Sequence, residues 1–116
     1  ASGKVQLYMT AADLVCRDGT VVNKIGTLAN ALACSRYGIP YHVLAISPDP
    51  NKKTRADVTI EMRDPKEVTE CMGIKTTLDT IEGVYPAFDI VDPELVTRII
   101  TPKGILRPGE MEEDGI

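Results

Sequence analysis

The feature that most constrains the fold is a helix-like run of sequence between two apolar stretches. Residues 5–9 are mostly apolar, as in a buried strand, and residues 41–46 form a second such stretch. Between them, residues 23–37 carry apolar side chains at the i, i+3 and i+4 spacing of a helix. Gly38 and Pro40 follow, as expected where a helix ends. This strand–helix–strand order predicts two parallel strands joined by a right-handed crossover.

The composition fits a parallel sheet that is covered by helices. The 116 residues include no Trp, one Phe and four Tyr, while 43% of them are hydrophobic. The core must therefore be built mainly from aliphatic side chains, which are typical of buried parallel strands. The length is that of one ordinary domain, so the residues alone predict one compact α/β unit with about four or five strands.

Turn and strand signals predict several shorter elements. Residues 14–16 extend the first strand or form a second one, and residues 17–20 form a turn. Residues 57–61 alternate between polar and apolar, which indicates a short strand. Residues 84–91 contain an apolar run that is typical of a strand.

Two Asp-Pro pairs predict helix starts. Asp64-Pro65 and Asp92-Pro93 each place an Asp at the N-cap and a Pro at the first helical position. The second of these helices is predicted to end at Lys103-Gly104. Its apolar stripe consists of Leu95, Val96, Ile99 and Ile100.

The charge and hydropathy exclude two classes of partner. The net charge of −4 gives no long-range attraction to nucleic acid. No apolar run approaches the roughly 20 residues of a membrane span, so we expect no membrane partner. Residues 109–116 carry acidic side chains and no basic one, and we expect them to form a solvated acidic tail.

The cysteines argue against a disulfide scaffold and against a zinc site. Cys16, Cys34 and Cys71 are an odd number without C-x-x-C spacing, and His42 is the only histidine. We therefore expect no metal and a reducing, cytoplasmic location. Each cysteine is interpreted as structural, with catalysis as the lesser alternative. Cys16 has no histidine close in sequence to activate it, Cys34 lies late in the predicted long helix, and Cys71 lies in a loop-like stretch.

Asp13 is the first candidate for chemistry. It follows the first predicted strand through two alanines, so it lies at the carboxyl end of that strand. Ligands of open α/β sheets bind at this edge, and a carboxyl group there suits general acid/base catalysis. The alternative is an Asp that only caps a turn.

Asn23 and Lys24 are candidates for binding a phosphate. They begin the predicted long helix, whose N-terminus offers free N–H groups and a partial positive charge. Lys24 adds a full charge, and the Asn23 amide can donate a hydrogen bond. The Walker spacing of glycines and lysine is absent. In the alternative interpretation, Asn23 caps the helix and Lys24 is solvated.

A further acid, Asp89, follows an apolar run near a predicted strand end. We interpret it as part of a core strand and its turn, with helix capping or orientation of a partner as alternatives. Other charged residues are interpreted as solvent-facing, as charge runs usually are. They are Lys52, Lys53, Arg55, Asp57, Glu61, Arg63 and Asp64.

Several motifs follow one another in the order found in one enzyme family. Ala11-Ala12-Asp13 is followed ten residues later by Asn23-Lys24-Ile25-Gly26-Thr27. Further matching stretches are residues 38–41, 63–69, 86–89, 93–96 and 99–105. Together they resemble the C-terminal domain of methylthioribose-1-phosphate isomerases, which belong with ribose-1,5-bisphosphate isomerases and regulatory subunits of initiation factor 2B. The Arg-Asp-Pro and Pro-Ala-Phe-Asp motifs favour the isomerase branch.

The resemblance implies a Rossmann-like three-layer domain over residues 1–108, with a mostly parallel sheet of about four to six strands. It implies aldose–ketose isomerisation of a sugar 1-phosphate, namely methylthioribose 1-phosphate in methionine salvage, without a cofactor. Asp13 would be the catalytic acid/base, and Asn23 and Lys24 would bind substrate oxygens.

The resemblance also implies that other sequence completes the site. The family's second catalytic group is a cysteine in a preceding segment that this chain lacks. The chain is therefore expected to be a fragment or a subunit that is inactive alone. Its partner would be the N-terminal part of the same protein or a second chain, and the family resemblance implies a homodimer.

Some positions depart from the family pattern. Ala11 stands where Gly is usual, and its methyl group lies where the backbone would approach a ligand closely. Tyr85 replaces a usual Asn, so the substrate can differ, and Asp18-Gly19-Thr20 is closer to other branches. The alternative function is therefore a non-catalytic regulatory or assembly subunit of an initiation factor 2B-like guanine-nucleotide-exchange complex.

Overall fold

The computed structural model of the protein describes residues 1–111. Its α-helices are α1 (Thr27–Arg36) and α2 (Lys66–Thr69), and three-residue 3-10 helices occupy Arg55–Asp57, Pro93–Leu95 and Pro108–Glu110. The strands are β1 (Tyr8–Ala11), β2 (Leu14–Val15), β3 (Val21–Lys24), β4 (Tyr41–Leu44), β5 (Glu70–Cys71), β6 (Ile74–Lys75), β7 (Phe88–Val91), β8 (Arg98–Thr101) and β9 (Gly104–Leu106).

A four-stranded sheet has the order β1-β4-β8-β9. Strands β1, β4 and β8 are parallel, and only β9 runs antiparallel to its neighbour β8. The helix α1 lies between β1 and β4 in the chain, as the strand–helix–strand pattern predicts. The α/β class and the mostly parallel sheet are therefore confirmed.

A second, antiparallel sheet has the order β2-β3-β7. Asn23 lies opposite Asp89, and Lys24 lies opposite Phe88, across the β3–β7 pair. The helix α1 packs against β7. This sheet therefore connects the two candidate binding residues to a segment that is more than sixty residues away in sequence.

The predicted helix start at residue 23 is wrong, because the helix begins at Thr27. Residues 21–24 are instead held in β3 by hydrogen-bonded neighbours on both sides. The C-terminal end is as predicted, since Gly38 has a left-handed φ of 68°. The first strand is also displaced: β1 covers Tyr8–Ala11 rather than residues 5–9.

The predicted helix over residues 92–104 is also wrong. Pro93–Leu95 forms a single 3-10 turn, and the chain then enters β8 and the β8–β9 hairpin. Burial alternates along β8, with Ile99 and Thr101 buried and their neighbours partly exposed. The alternation has the strand period of two residues, and pairing with β4 makes that period the stable one.

The predictions for the intervening segment have mixed outcomes. Residues 57–61 do not form the predicted strand: Asp57 ends the 3-10 turn that Thr54 caps, and residues 58–61 have no regular structure. The Asp64-Pro65 pair does precede a helix, but α2 begins at Lys66 with Pro65 at the N-cap, one residue later than predicted; the Asp64 carboxylate accepts the Lys66 N–H at 3.0 Å. A strand occurs within residues 84–91, at Phe88–Val91.

The core lies between the two sheets and α1 and is aliphatic, as the composition predicts. One aromatic residue, Tyr41, is fully buried; it stacks on Tyr8 and shares a hydrogen bond of 2.6 Å with the Thr10 hydroxyl. The core cluster consists of Val15, Val21, Ala31, Tyr41, Val43, Val91, Val96, Ile99 and Met111.

The other face of the four-stranded sheet is apolar and solvent-accessible. Ala11, Leu44, Ile100 and Ile105 lie opposite one another in successive strands and form one row across the sheet. Leu44 and Ile105 are exposed. We call this row the outer face.

The predicted acidic tail, residues 109–116, stays a prediction. Residues 112–116 lie outside the part of the chain that the structure describes. Before them, Met111 is buried in the core, and the Glu110 carboxylate accepts the Arg107 N–H at 3.3 Å. The packed part of the chain therefore reaches at least Met111.

Candidate active site

A hollow opens at the carboxyl edge of the parallel strands. Its volume is about 450 Å³, which is within the range of ligand pockets. It is lined by Ala11, Ala12, Leu44, Ala45, Ile46, Ile100, Thr101 and Pro102. These residues are the last of β1, β4 and β8 and those just after them, so the hollow lies at the edge where α/β sheets bind ligands. A second hollow, of about 460 Å³, lies between residues 1–5 and α1; Cys34 lines it, but Asp13, Asn23 and Lys24 do not.

Asp13 directly follows the part of the hollow formed by Ala11 and Ala12. Its side chain is exposed, and its backbone N–H donates to the Val22 carbonyl at 2.9 Å. This bond continues the contact between β2 and β3, in which Leu14 lies opposite Val22. Asp13 is therefore held beside the strand that carries Asn23 and Lys24.

Asn23 and Lys24 lie at the end of β3 rather than at the start of α1. The Asn23 amide donates to the Thr27 hydroxyl at 3.1 Å, and that hydroxyl donates to the Lys24 carbonyl at 2.6 Å. These bonds fold the strand end onto the first turn of α1. The Asn23 side chain therefore stabilises the turn but is not the N-cap, which is Gly26.

Asp89 occupies the N-terminus of α1. Its carboxylate Oδ2 accepts the N–H of Gly26 at 2.8 Å and the N–H of Leu28 at 3.1 Å. A carboxylate at this position satisfies free N–H groups and opposes the partial positive charge of the helix end. The helix end therefore holds a side chain in the place where the sequence predicted a phosphate. Asp89 lies in β7, so its interpretation as part of a strand is confirmed, and the helix-capping alternative is confirmed as well.

Lys24 and Arg63 share one aromatic ring. The Lys24 Nζ lies 5.9 Å from the Tyr85 ring centroid and 5.8 Å from that of Phe88, and the Arg63 Cζ lies 5.9 Å from the Tyr85 centroid. Arg63 is exposed, in agreement with its prediction as a solvent-facing residue. Its position beside Lys24 depends on pairing between residues 62 and 86, for which the sequence has no local signal.

Two of the three cysteines are buried, as expected for structural roles, and the third is exposed. Cys16 is fully buried, and burial, aided by Asp18 and other nearby carboxylates, raises its pKa from 9.0 to about 11. A thiol with a raised pKa is a poor nucleophile at neutral pH. Cys34 is buried on α1, whereas Cys71 is exposed.

Residues 1–111 contain neither a cluster of metal-ligating side chains nor a helix suited to cross a membrane. No three His, Cys, Asp or Glu side chains are grouped closely enough to hold a metal ion. No helix in that part of the chain has the length and apolar character needed to cross a membrane.

The sequence pattern of the initiation factor 2 subunit family matches residues 3–108. The chain belongs to this family. A methylthioribose-1-phosphate isomerase from Thermosipho africanus is 44% identical over 108 residues, which are 91% of this chain and 31% of that protein. One from Aquifex aeolicus is 38% identical over 113 residues, which are 96% of this chain and 25% of that protein.

Solved structures of both branches share the fold. The 5-methylthioribose 1-phosphate isomerase of Pyrococcus horikoshii superposes with a TM-score of 0.87 at 33% identity, over 97% of this chain and 32% of that one. The delta subunit of translation initiation factor eIF-2B from A. fulgidus gives 0.83 at 33% identity, over 93% of this chain and 32% of that one. The chain spans between a quarter and a third of the length of these relatives.

Proposed function

We propose that this chain forms the C-terminal part of a sugar 1-phosphate aldose–ketose isomerase whose substrate is methylthioribose 1-phosphate, as in methionine salvage. The observation that carries the proposal is the 44% identity, over 91% of the chain, to a protein named methylthioribose-1-phosphate isomerase. Asp13 acts as the acid/base, and Asn23 and Lys24 bind substrate oxygens.

The proposed reaction needs one group that moves protons. Converting an aldose into a ketose reduces C1 and oxidises C2 of the same sugar, so the electrons balance within the substrate. A proton must leave one carbon and reach the other, and a carboxyl group within reach of both can carry it. Asp13 suits this step because its side chain is exposed at the carboxyl edge of the sheet, next to the hollow.

Further protein is needed to complete the proposed enzyme. The chain covers 31% of the Thermosipho relative, and the outer face leaves Leu44 and Ile105 exposed. Apolar surface of this kind is normally covered by other protein. In the proposal, the N-terminal part of the same protein or a second chain covers it, the assembly is a homodimer, and the enzyme acts in the cytoplasm.

The proposal is tested with two preparations: this chain alone, and this chain joined to the N-terminal two-thirds of the Thermosipho africanus isomerase. Each is assayed for conversion of methylthioribose 1-phosphate to methylthioribulose 1-phosphate. We expect turnover only from the joined protein. In that protein, Asp13→Asn should lower kcat by about 100-fold or more, because the group that moves the proton is lost.

The matched control is Asp79→Asn, which removes another carboxylate far from the hollow in sequence. The Asp79 side chain is 97% exposed, and the variant should keep the turnover of the joined protein. Unchanged turnover in Asp13→Asn would remove Asp13 from the mechanism. A folded but inactive joined protein would favour the regulatory alternative, which the eIF-2B delta likeness supports.

A further inference from the structure

The Lys24 ammonium lies against aromatic rings and not against a carboxylate. Its Nζ lies 5.8 Å from the Phe88 ring centroid and 5.9 Å from the Tyr85 ring centroid. Phe88 is the residue opposite Lys24 in the β3–β7 pair, so the first ring comes from the same sheet. Lys24 forms no ion pair with another of residues 1–111. The two rings are therefore its restraint within the described chain.

Aromatic rings can restrain an ammonium group without neutralising its charge. A carboxylate partner would offset the charge of the lysine and occupy its N–H donors. The face of a ring attracts the cation through its quadrupole and leaves those donors available to other oxygens. At an exposed site, one such contact is worth about a two- to fivefold change in an equilibrium constant. The rings thus limit the positions of a long, flexible side chain whose charge stays available.

The position of Tyr85 is well determined by its neighbours. Its carbonyl accepts the Arg63 N–H at 2.8 Å, and Pro86, which follows it, pairs with Met62. A residue before a proline is restricted to extended conformations, which limits the direction of its side chain as well. The Arg63 guanidinium also contacts the ring, with its Cζ 5.9 Å from the centroid. Tyr85 can therefore support the exposed Lys24.

We propose that Tyr85 is a positioning residue for Lys24. Its ring, together with that of Phe88, holds the Lys24 ammonium where it can bind a substrate oxygen. The binding of substrate by Lys24 rests on the proposed function, whereas its positioning by Tyr85 goes beyond that function. The support is the face of the ring, so phenylalanine should replace Tyr85 in this role and leucine should not.

The first test follows the Lys24 ammonium by NMR in the 116-residue chain. The lysines are reductively methylated with isotopically labelled methyl groups, and the Lys24 signal is assigned with Lys24→Arg. Protons above a ring face are shifted upfield, so we expect an upfield Lys24 signal in the wild type and in Tyr85→Phe. In Tyr85→Leu, that signal should move towards those of the other lysines. Unchanged signals of the other lysines verify that each variant is folded.

The matched control is Tyr37→Leu. The Arg36 Cζ lies 5.4 Å from the Tyr37 ring centroid, so this variant removes a contact of the same kind near the end of α1. The Lys24 signal should keep its wild-type position in this variant. A change as large as that in Tyr85→Leu would mean that the signal reports a general effect of losing a ring.

The second test measures the kinetics of the joined protein with methylthioribose 1-phosphate. If Lys24 binds a substrate oxygen throughout the reaction, a loss of its support removes binding from the ground state and the transition state alike. Tyr85→Leu should therefore raise KM about two- to fivefold and keep kcat within about twofold. Tyr85→Phe and Tyr37→Leu should keep the wild-type KM. A merely structural role of Tyr85 would not be rescued by phenylalanine with this split between KM and kcat.

Three outcomes would overturn the inference: an unchanged Lys24 signal in Tyr85→Leu, an equal change in Tyr85→Phe or Tyr37→Leu, or an active joined protein whose KM does not depend on Tyr85. These outcomes are separable from failure of the proposed function. An inactive joined protein with a Lys24 signal that depends on the Tyr85 ring contradicts only the isomerase and supports the positioning of Lys24. An active joined protein with a Lys24 signal that is independent of Tyr85 contradicts only this inference.

Discussion

The body of the molecule and the segment of residues 64–84, which we call the arm, differ in whether they enclose a core: the body packs a core and also exposes its outer face, and the arm packs none. All members of the core cluster lie outside the arm. Within the arm, Met72 is 97% exposed and Ile74 is 69% exposed, and its two strands pair only with each other. The core is therefore built from residues of the body alone, whereas the large apolar side chains of the arm are exposed.

The difference comes from the contacts available to each region. In the body, parallel strands bring residues from positions 8–11, 41–44 and 98–101 side by side, so apolar faces meet. The arm contains a four-residue helix and two-residue strands, which are too short to enclose a core of their own. The body should therefore carry most of the stability, and the arm should tolerate change.

The comparison is tested most strongly by truncating one isoleucine in each region. Ile99→Ala empties a fully buried position in β8 and should lower the free energy of unfolding by about 2–5 kcal/mol. Ile74→Ala, on the arm, should change it by no more than about 0.5 kcal/mol. Urea titrations at equal protein concentration give both values. Equal losses would mean that the arm belongs to the same cooperative core.

Two glycines with positive φ provide the next test. Gly19 has a φ of +92°, and a Cβ there would lie 2.6 Å from the Pro108 Cβ, so Gly19→Ala should cost about 2 kcal/mol or more. Gly73, on the arm, has a φ of +79° but open space around it, so Gly73→Ala should cost only about 1 kcal/mol of backbone strain. The thermal unfolding midpoints of both variants separate the cost of the contact with Pro108 from the cost of backbone strain. Equal midpoints would contradict an added cost from the Pro108 contact.

Charge removal at two aspartates gives a smaller effect. Asp89→Asn weakens the cap on α1 and should lower the free energy of unfolding by about 1 kcal/mol. Asp79→Asn removes an almost fully exposed carboxylate of the arm and should have no measurable effect. Denaturant midpoints in low salt provide the comparison. An unchanged midpoint in Asp89→Asn would show that the negative charge of the carboxylate adds nothing to the cap, because the Asn side-chain oxygen can still accept both N–H groups.

The two regions can also be compared through Cys16 in the body and Cys71 in the arm. The pKa of Cys16 is raised in the folded body to about 11, so folding favours its neutral thiol. That contribution is complete below pH 9 and is lost as the pH rises from 9 towards 11. The stability difference between wild type and Cys16→Ala should therefore shrink between pH 8 and pH 11.

At pH 8, iodoacetamide should modify the exposed Cys71 of the arm well before Cys16. Equal rates would contradict the burial of Cys16.

The parts of the fold that sequence predicts well are those governed by local periodicity. The β1–α1–β4 unit follows from the spacing of apolar residues and from Gly38 and Pro40. Residues 92–104 could not be assigned in this way, because adjacent apolar pairs suit either a helix stripe or a strand. The choice of a strand depends on pairing between β8 and β4, which no local pattern encodes.

In the candidate site, too, local sequence predicts some positions, whereas others depend on contacts between distant segments. The place of Asp13 follows from its position after an apolar strand, and the structure puts it at the carboxyl edge. The contacts of Asp89 with Gly26 and Leu28 span more than sixty residues, so the cap on α1 could be named only as one of several alternatives. Arg63 lies near Lys24 because Met62 pairs with Pro86. These two residues are also far apart in sequence, so no local pattern predicts their contact.

The Met62–Pro86 bridge brings the two ends of the arm together, so the arm is a closed loop on the body. The backbone leaves the body at Met62 and returns at Pro86, and Gly83 passes so close to Pro65 that an added Cβ would lie 2.5 Å from its carbonyl oxygen. Doubling the length of a flexible loop costs only about 0.6 kcal/mol of closure entropy. Insertions or exchanges within the arm, between Pro65 and Gly83, should leave the strand registers of the body unchanged. The tip of the arm is thus a natural place to attach a reporter or to graft a sequence from another branch of the family.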